Sequence, residues 1–180
     1  MPDNGYLGYG KIGQRVARYA KAFGMEVMVW GSENSKKNAM SHGFKTAAPK
    51  KISQADILSL HLRLNQTTQG CVTYDDLQHM KKDALIVNIS RAGLIEPHAL
   101  FFSLHSGRPG FATVDVYDSA PVKIGGETLL SLPNVLATPH LGYVEKNSYE
   151  LYFQITFENI VNFFGGHPIN IANPGLNIKI

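Results

Sequence analysis

The chain has 180 residues, of which 44% are hydrophobic and 17% charged, a composition typical of a globular domain and not of a disordered one. Its 17 basic and 14 acidic residues give a net charge of +3 without a basic run, which argues against nucleic acid or a membrane surface as a partner. Cys71 is the only cysteine, so an internal disulfide and a cysteine-ligated zinc are excluded. The chain starts without the basic and apolar regions of a signal peptide, and we expect a cytoplasmic protein.

Short β-like runs alternate with amphipathic helical stretches along the chain. Strands are predicted at 5–8, 26–30, 56–61, 84–88, 111–116 and 135–137. Helices are predicted over 12–23, from Tyr74 with Thr73 as N-cap, over 96–106, and over 146–164. The first helix carries its large apolar residues at helical spacing: Ile12, Val16, Tyr19, Ala20 and Phe23. The alternation predicts an α/β protein with a doubly wound, mostly parallel sheet, and we expect one domain over residues 1–180.

The first strand leads into Gly8-Tyr9-Gly10-Lys11-Ile12-Gly13, which is a G-x-G-x-x-G sequence. Its glycines permit a tight turn and a close approach of the backbone to a pyrophosphate bound at the helix N-terminus. Glycine-rich turns also serve as plain connections, and methyltransferases use related loops. The position between a strand and a helix favours a dinucleotide.

An acidic residue near the end of the second strand would hold the ribose 2′-hydroxyl of a dinucleotide. Gly31 occupies that position, so the acid is absent or displaced to Glu33. Lys36 and Lys37 could meet a 2′-phosphate, or could be solvated lysines on a surface helix. Both NAD and NADP therefore stay open, with NAD favoured.

Three polar residues follow later strands, at the sheet edge where ligands of α/β proteins bind. Arg91 is placed to grip a carboxylate through two hydrogen bonds, or is a surface arginine in a turn. His140 could pass a proton at neutral pH, or is simply a loop histidine. Asp115 ends an apolar strand, so we expect a polar ligand group or a backbone N–H to meet its carboxylate. The remaining histidines lack the spacing of metal ligands, and no metal is predicted.

These motifs, taken in order, resemble the D-isomer-specific 2-hydroxyacid dehydrogenases. The matching segments are 8–13, Ala22-Phe23-Gly24-Met25, His61-Leu62-Arg63-Leu64, Asn88-Ile89-Ser90-Arg91-Ala92-Gly93, Val114-Asp115-Val116-Tyr117, Leu132-Pro133-Asn134-Val135 and Thr138-Pro139-His140. The resemblance implies a Rossmann-like domain and hydride transfer between a nicotinamide and a D-2-hydroxy or 2-keto acid. It implies that Arg91 anchors the substrate and that His140 is the general acid/base.

The resemblance also implies a set of cofactor-binding residues, with Asp115 near the nicotinamide carboxamide. The set is Gly8, Gly10, Lys11, Ile12, Gly13, Gly31, Ser32, His61, Ile89, Ser90, Asp115 and Gly142. A homodimer is expected, in part because 149–164 is richer in aromatic residues than one core face requires.

Two departures from the family pattern bear on activity. The family places a glutamate before the proline that follows Tyr117, where it orients the catalytic histidine and favours its protonated form; here that residue is Ala120, two residues after Asp118. The substrate lobe of the family is also expected to be absent, because the glycine loop lies so near the start. The leading hypothesis is the cofactor domain of a 2-hydroxyacid dehydrogenase, and the alternative is a non-catalytic, dimerising dinucleotide-binding module. A methyltransferase-like domain would leave the later motifs unexplained.

Overall fold

The computed structural model describes residues 3–47, 55–123 and 126–175. Contacts divide the chain into two compact units, Met1–Leu141 and Gly142–Ile180. The described strands all lie in the first unit: β1 (Asp3–Leu7), β2 (Glu26–Trp30), β3 (Lys45–Thr46), β4 (Ile57–Leu60), β5 (Leu85–Asn88), β6 (Phe111–Val114) and β7 (Val135–Ala137).

These strands form a seven-stranded sheet in the order β3-β2-β1-β4-β5-β6-β7, and every pair is parallel. β1 lies in the middle of the sheet. β2 and β3 extend the sheet on one side of β1, and β4 to β7 extend it on the other side. The strand order thus reverses between β1 and β4, where ligands of open α/β sheets bind beyond the carboxyl ends of the strands. The predicted Rossmann-like fold is confirmed.

Helices α1 (Lys11–Ala22), α2 (Glu33–Ser41), α3 (Tyr74–Gln78) and α4 (Ala99–His105) connect the strands. Their ends follow from local sequence. Thr73 Oγ1 accepts a bond from the Asp76 N–H at 3.1 Å, and the Asp76 carboxylate accepts one from the Thr73 N–H at 3.0 Å, which makes a capping box before α3. Gly24 follows α1 with φ +78°, a left-handed conformation that glycine adopts without strain.

Helix α1 is buried on a different face from the one its large residues predict. The buried residues are small: Gly13, Ala17 and Ala20. Ile12, Tyr19 and Phe23, which recur at helical spacing, are 64%, 64% and 84% exposed, so these large residues do not form the buried face. The packing explains this at the start of the helix, where a Cβ on Gly13 would lie 2.4 Å from the Gly8 carbonyl oxygen, so there is no room for a larger residue at that position.

Three further differences concern elements. Helix α2 was not predicted because it buries only Ala39 and so lacks an apolar stripe. Strand β3 has two residues, too few for a period-2 pattern. Helix α4 begins at Ala99 instead of Glu96, because Val72 pairs with Ile95 in a parallel bridge and the Glu96 N–H donates to the Val72 carbonyl, which holds this segment extended.

The main core lies between β4–β6 and the helices α3 and α4. Its largest fully buried side chains include Leu58, Leu60, Leu77, Met80, Ile86 and Leu94. Each such side chain contributes roughly 1.5–3 kcal/mol when it leaves water. This core fixes the carboxyl ends of β4, β5 and β6, from which the polar residues of the candidate site project.

The second unit contains α5, which spans Lys146–Phe164 as predicted. Glu145 caps it: its carboxylate accepts bonds from the N–H groups of Asn147 (3.0 Å) and Ser148 (2.7 Å), and these bonds lower the pKa of Glu145. Among the described residues of α5 none is buried, and the predicted apolar face of Tyr149, Phe153, Phe157, Ile160 and Phe164 is exposed. No helix in the described part of the chain is both long and apolar enough to cross a membrane.

Candidate functional site

The turn between β1 and α1 requires glycine because backbone atoms lie where a Cβ would stand. Gly8 has φ +94°, and a Cβ on it would be 2.6 Å from the His61 carbonyl oxygen. A Cβ on Gly13 would be 2.4 Å from the Gly8 carbonyl oxygen. The Gly8 N–H donates to the Trp30 carbonyl at 2.8 Å. The ends of β1, β2 and β4 and the first turn of α1 are thereby held together.

Gly10 differs from these two glycines because it faces open space, with nothing within 4 Å of an added Cβ. It is the N-cap residue of α1, and the described first turn of that helix has neither a side-chain cap nor an acidic residue. Lys11 and Ile12, the first helical residues, are exposed. N–H groups in the first turn of a helix have no intrahelical partner, and the helix dipole places positive potential there. The arrangement fits a pyrophosphate.

The turn after β2 is packed against the glycine loop. A Cβ on Gly31 would lie 3.2 Å from the Ser35 Cβ and 3.8 Å from the Gly8 Cα. Ser32 Oγ accepts a bond from the Ser35 N–H at 3.3 Å and so caps α2. An aspartate or glutamate at position 31 would need Ser35 to move, which gives a local reason for the glycine.

The displaced acid, Glu33, stands in the first turn of α2. Its carboxylate receives a hydrogen bond from Lys36 Nζ at 2.6 Å, and this contact, together with the attraction of the two charges, lowers the pKa of Glu33. The Lys36 side chain is 22% exposed, whereas that of Glu33 is 81% exposed. Lys37 is exposed. Of the two lysines considered for a 2′-phosphate, Lys36 is therefore paired and largely covered.

His61 follows β4 and forms one wall of the glycine turn. Its Nε2 lies 2.9 Å from Ser59 Oγ, and a Cβ on Gly13 would be 3.3 Å from the His61 Cβ. Burial lowers the pKa of His61 to about 4, because the protonated ring would lose hydration. The ring is neutral at pH 7, and a contact with a cofactor stays a prediction.

The turn after β5 is organised by Asn88, which is 2% exposed. Its Oδ1 accepts a bond from the Ser90 N–H (3.1 Å) and its Nδ2 donates to the Arg91 carbonyl (2.9 Å). Ser90 Oγ donates to the Leu60 carbonyl at 2.7 Å, which ties the turn to the end of β4. Arg91 and Ile89 are exposed, and Arg91 Nη1 donates to the Ser90 carbonyl at 2.6 Å. The guanidinium thus stands at the carboxyl edge of the sheet.

Asp115, which is 4% exposed, holds the loop that carries His140. Its Oδ1 accepts bonds from Thr138 Oγ1 and from the Leu141 N–H, the latter at 2.7 Å. The expected backbone N–H partner is therefore present. Tyr117 donates its hydroxyl to the Thr138 carbonyl at 2.8 Å. His140, between these contacts, is exposed with φ +57°, a conformation that histidine adopts more readily than most residues.

Residues 3–142 match the family described as D-isomer specific 2-hydroxyacid dehydrogenase, NAD binding domain. The chain belongs to this family. It is 32% identical over 169 residues to a hydroxypyruvate reductase of Blautia hydrogenotrophica, covering 94% of this chain and 52% of that protein. It is 52% identical to the solved phosphoglycerate oxidoreductase of Vibrio cholerae O395, with a TM-score of 0.87 over 92% of this chain and 53% of that one.

A third relative is the acyclic imino acid reductase Bsp5, whose structure contains NADPH and D-Arg. It is 30% identical, with a TM-score of 0.74 over 95% of this chain and 53% of that one. The chain spans about half the length of all three relatives.

In this 2-hydroxyacid dehydrogenase domain the predicted residues of the first unit gather at the carboxyl edge of the sheet. The Asp115 N–H donates to the Asn88 carbonyl at 3.1 Å, which links the turns after β5 and β6. Gly142 opens the second unit, so its role toward a cofactor stays a prediction. Sequence reasoning missed two supporting residues, Asn88 and Thr138. An amide at the end of an apolar strand could have indicated Asn88, since buried polar groups need partners.

Proposed function

We propose that the chain binds NAD or NADP, with the pyrophosphate on the N-terminus of α1. The observation that carries the proposal is the contrast among the three glycines of the turn. Gly8 and Gly13 have no room for a Cβ, whereas Gly10 faces open space at a helix end that no side chain caps. A turn that served only as a connection would not need Gly10, because its φ of −74° suits any residue.

The proposed reaction is the interconversion of a D-2-hydroxy acid and a 2-keto acid. A bound nicotinamide supplies or accepts the hydride. Arg91 binds the substrate carboxylate through two parallel hydrogen bonds, exchanging its present bond to the Ser90 carbonyl for the stronger charged pair. His140 gives a proton to the keto oxygen during reduction and takes it back during oxidation. Asp115 holds the His140 loop from both sides and so fixes where that proton stands.

A non-catalytic, dimerising dinucleotide-binding module is the second candidate function. Ala120 favours it, because the position that carries a glutamate in the family pattern has no carboxylate here. Arg91 and His140 favour the enzyme, since a module that only binds dinucleotide needs neither. A steady-state assay of NADH and NADPH oxidation with hydroxypyruvate, glyoxylate and other 2-keto acids separates the two. Turnover that Arg91→Ala removes supports the enzyme, and dinucleotide binding without turnover supports the module.

We also propose that the chain is a cytoplasmic homodimer. Helix α5 exposes apolar side chains around its circumference, among them Leu151, Tyr152, Phe153 and Val161, which are 51%, 57%, 59% and 70% exposed. Apolar surface of this extent marks an interaction site. Light scattering at micromolar concentration distinguishes the dimer from a monomer of 19.8 kDa.

Titration with NADH and NADPH tests the binding proposal directly. Trp30 is the only tryptophan and ends β2, with its carbonyl bonded to Gly8, so its fluorescence reports on the glycine turn. A saturable change below millimolar dinucleotide is expected. No saturable change with either cofactor would contradict the proposal.

A further inference from the structure

The loop after β4 carries an arginine to which the proposed function gives no role. Arg63 lies three residues beyond Leu60, the last residue of β4, and its side chain is exposed. Its guanidinium takes part in none of the ion pairs found among residues 3–47, 55–123 and 126–175. A guanidinium is always charged in proteins. A positive charge without an acidic partner in the described part of the chain therefore stands at the carboxyl edge of the sheet, where ligands of α/β proteins bind.

The strand register places Arg63 beside the open end of the glycine turn. In the neighbouring parallel strands β1 and β4, Leu7 is paired with Leu60. Gly10 and Arg63 each lie three residues beyond that pair, and adjacent strands of a sheet are about 4.8 Å apart. The two loops are also in direct contact, because backbone atoms of the loop after β4 lie 2.6 to 3.0 Å from the position of a Cβ on Gly8. Arg63 thus lies next to the space that opens at Gly10.

Hydrogen bonds within the loop after β4 fix the backbone of Arg63. Thr68 Oγ1 donates to the Arg63 carbonyl at 2.7 Å. Asn65 Oδ1 accepts bonds from the N–H groups of Thr67 (2.9 Å) and Thr68 (3.1 Å), which closes the turn that follows. A fixed backbone reduces the conformational entropy that is lost when a side chain is ordered on a ligand. The loop therefore presents the guanidinium from a defined position.

Leu64 fills the space between this loop and the turn that carries Arg91. Its Cδ2 lies 3.2 Å from the position of a Cβ on Gly93, in that turn. An apolar side chain thus covers the side of the loop that faces β5, and the side that faces β1 is left to Arg63. The pyrophosphate proposed at α1 lies on the β1 side. It is negatively charged, and a guanidinium binds phosphate oxygens through parallel hydrogen bonds.

We propose that Arg63 binds the pyrophosphate of the dinucleotide from the β4 side, opposite the N–H groups of α1. The inference rests on the proposed dinucleotide function and adds a residue to that site. The helix end supplies uncharged donors and the partial charge of its dipole, whereas Arg63 supplies a full charge and a planar set of donors. Arg91 keeps its role toward the substrate carboxylate, because its turn lies beyond Leu64.

Removing the charge of Arg63 should weaken dinucleotide binding without unfolding the chain. Arg63→Met keeps the aliphatic part of the side chain and loses the guanidinium. A hydrogen-bonded charge pair at a partly exposed site corresponds to about a tenfold change in affinity. Arg63→Lys keeps the charge but not the planar donors, so its affinity should lie between those of the wild type and Arg63→Met. Lys82→Met is the matched control, because it removes a positive charge from an exposed position before β5, at the opposite edge of the sheet.

Calorimetry with NADH, ADP and AMP locates the contact, since ADP has the diphosphate of the dinucleotide and AMP has a single phosphate. The measured quantities are the affinity for NADH and the ratio of the affinities for ADP and AMP, both on the full chain. We expect Arg63→Met to lower the affinity for NADH by about tenfold and the ADP-to-AMP ratio by about fivefold or more. Lys82→Met should change either quantity by less than about twofold. Circular dichroism melts verify that each variant is folded.

Three results would overturn the inference. Equal losses of affinity for ADP and AMP in Arg63→Met would place the arginine on the adenosine instead of the diphosphate. Unchanged affinity for NADH and ADP, with weaker binding of tartronate to the NADH-loaded chain, would assign Arg63 to an anionic group of the substrate. Unchanged affinity for all of these ligands would make Arg63 a solvated surface residue. In each case NADH binding by the wild-type chain leaves the proposed function intact, whereas a wild-type chain that binds neither NADH nor NADPH overturns both.

Discussion

Replacing the glycines of the β1–α1 turn one at a time separates the contribution of the turn to protein stability from its contribution to dinucleotide binding. Alanine at Gly13 places a Cβ 2.4 Å from the Gly8 carbonyl oxygen, where ordinary contact begins near 3.4 Å. The backbone must shift, which typically destabilises a packed site by about 1–3 kcal/mol. The clashing atom is a backbone oxygen, so the cost should lie at the upper end of that range; alanine favours a helix by about 1 kcal/mol relative to glycine, and the net loss should be about 2 kcal/mol. In a protein of this size each kcal/mol lowers the melting temperature by roughly 2–4 °C.

Alanine at Gly10 should change stability little and should instead weaken dinucleotide binding. Its backbone angles, φ −74° and ψ −172°, are allowed for alanine, and nothing lies within 4 Å of the added methyl group. The stability should therefore change by about 1 kcal/mol or less, because the weaker capping by alanine is partly offset by the smaller conformational entropy of the unfolded chain. The methyl group would occupy the space through which a pyrophosphate approaches the helix end. We expect the affinity for NADH and NADPH to fall by about tenfold or more, or roughly 1.4 kcal/mol.

Thermal melts and dinucleotide titrations on the same samples measure both quantities. Gly175→Ala is the control, because its added methyl group also meets nothing within 4 Å. If Gly10→Ala binds NADH as tightly as the wild type, phosphates do not lie against α1 and the proposed site is wrong. If Gly13→Ala melts at the wild-type temperature, the packing argument for the turn is wrong.

Three other predictions concern the supports of the site and the assembly. Asp115→Ala should destabilise the chain by about 2–3 kcal/mol in urea titrations, because it leaves the Thr138 hydroxyl and the Leu141 N–H without their buried acceptor. Burial lowers the pKa of His61 to about 4, whereas an unperturbed histidine titrates at about 6.5, so the unfolded chain takes up the proton first as the pH falls. The free energy of unfolding should therefore decrease by up to about 3 kcal/mol between pH 7 and pH 4. His61→Gln should remove this dependence on pH. Light scattering should show a dimer, and a 19.8 kDa species would contradict it.

Most of the sheet could be predicted from the sequence because β2 and β4 to β7 are short, mainly apolar runs. Strand β2 (Glu26–Trp30) and β7 (Val135–Ala137) have the predicted bounds. The burial of α1 could not be predicted, since its pattern contains two apolar stripes. Only the tertiary contact between Gly8 and Gly13 shows that the stripe of small residues faces the sheet. Helix α2 buries only Ala39, so its sequence shows no apolar periodicity from which a helix could be predicted.

Some parts of the candidate site could also be predicted from the sequence, and others could not. The glycine turn and Asp115 could be predicted, because close backbone approach demands glycine and a buried carboxylate demands donors. The pairing of Glu33 with Lys36 is a choice among several partners that the sequence alone allows. The bonds of Asn88 link turns that are distant in the chain, from the Asp115 N–H to the Arg91 carbonyl, and they depend on strand register. Such support appears only when the fold is known.

A substitution at Ala120 can test the protonation of His140 without disturbing the contacts that hold the His140 loop. The loop of His140 is held by Asp115 and Tyr117, and none of these contacts involves the side chain at position 120. A glutamate introduced there should leave dinucleotide affinity unchanged. If it reaches His140, it should favour the protonated ring and keep a proton available for the keto oxygen at higher pH.

We therefore expect Ala120→Glu to raise kcat for 2-keto acid reduction and to extend activity to higher pH. General acid/base catalysis is typically worth about 10²–10⁴-fold, and recovery of even part of it should give about a tenfold increase. The comparison belongs in a fusion that adds the half of a relative such as the Vibrio cholerae phosphoglycerate oxidoreductase that this chain does not match, because closure around the substrate excludes water. Ala120→Gln is the matched control for size without charge. If Ala120→Glu leaves the rate and the pH profile unchanged while Asp118→Ala abolishes turnover, the histidine already has its carboxylate in Asp118 and the site is complete without a glutamate.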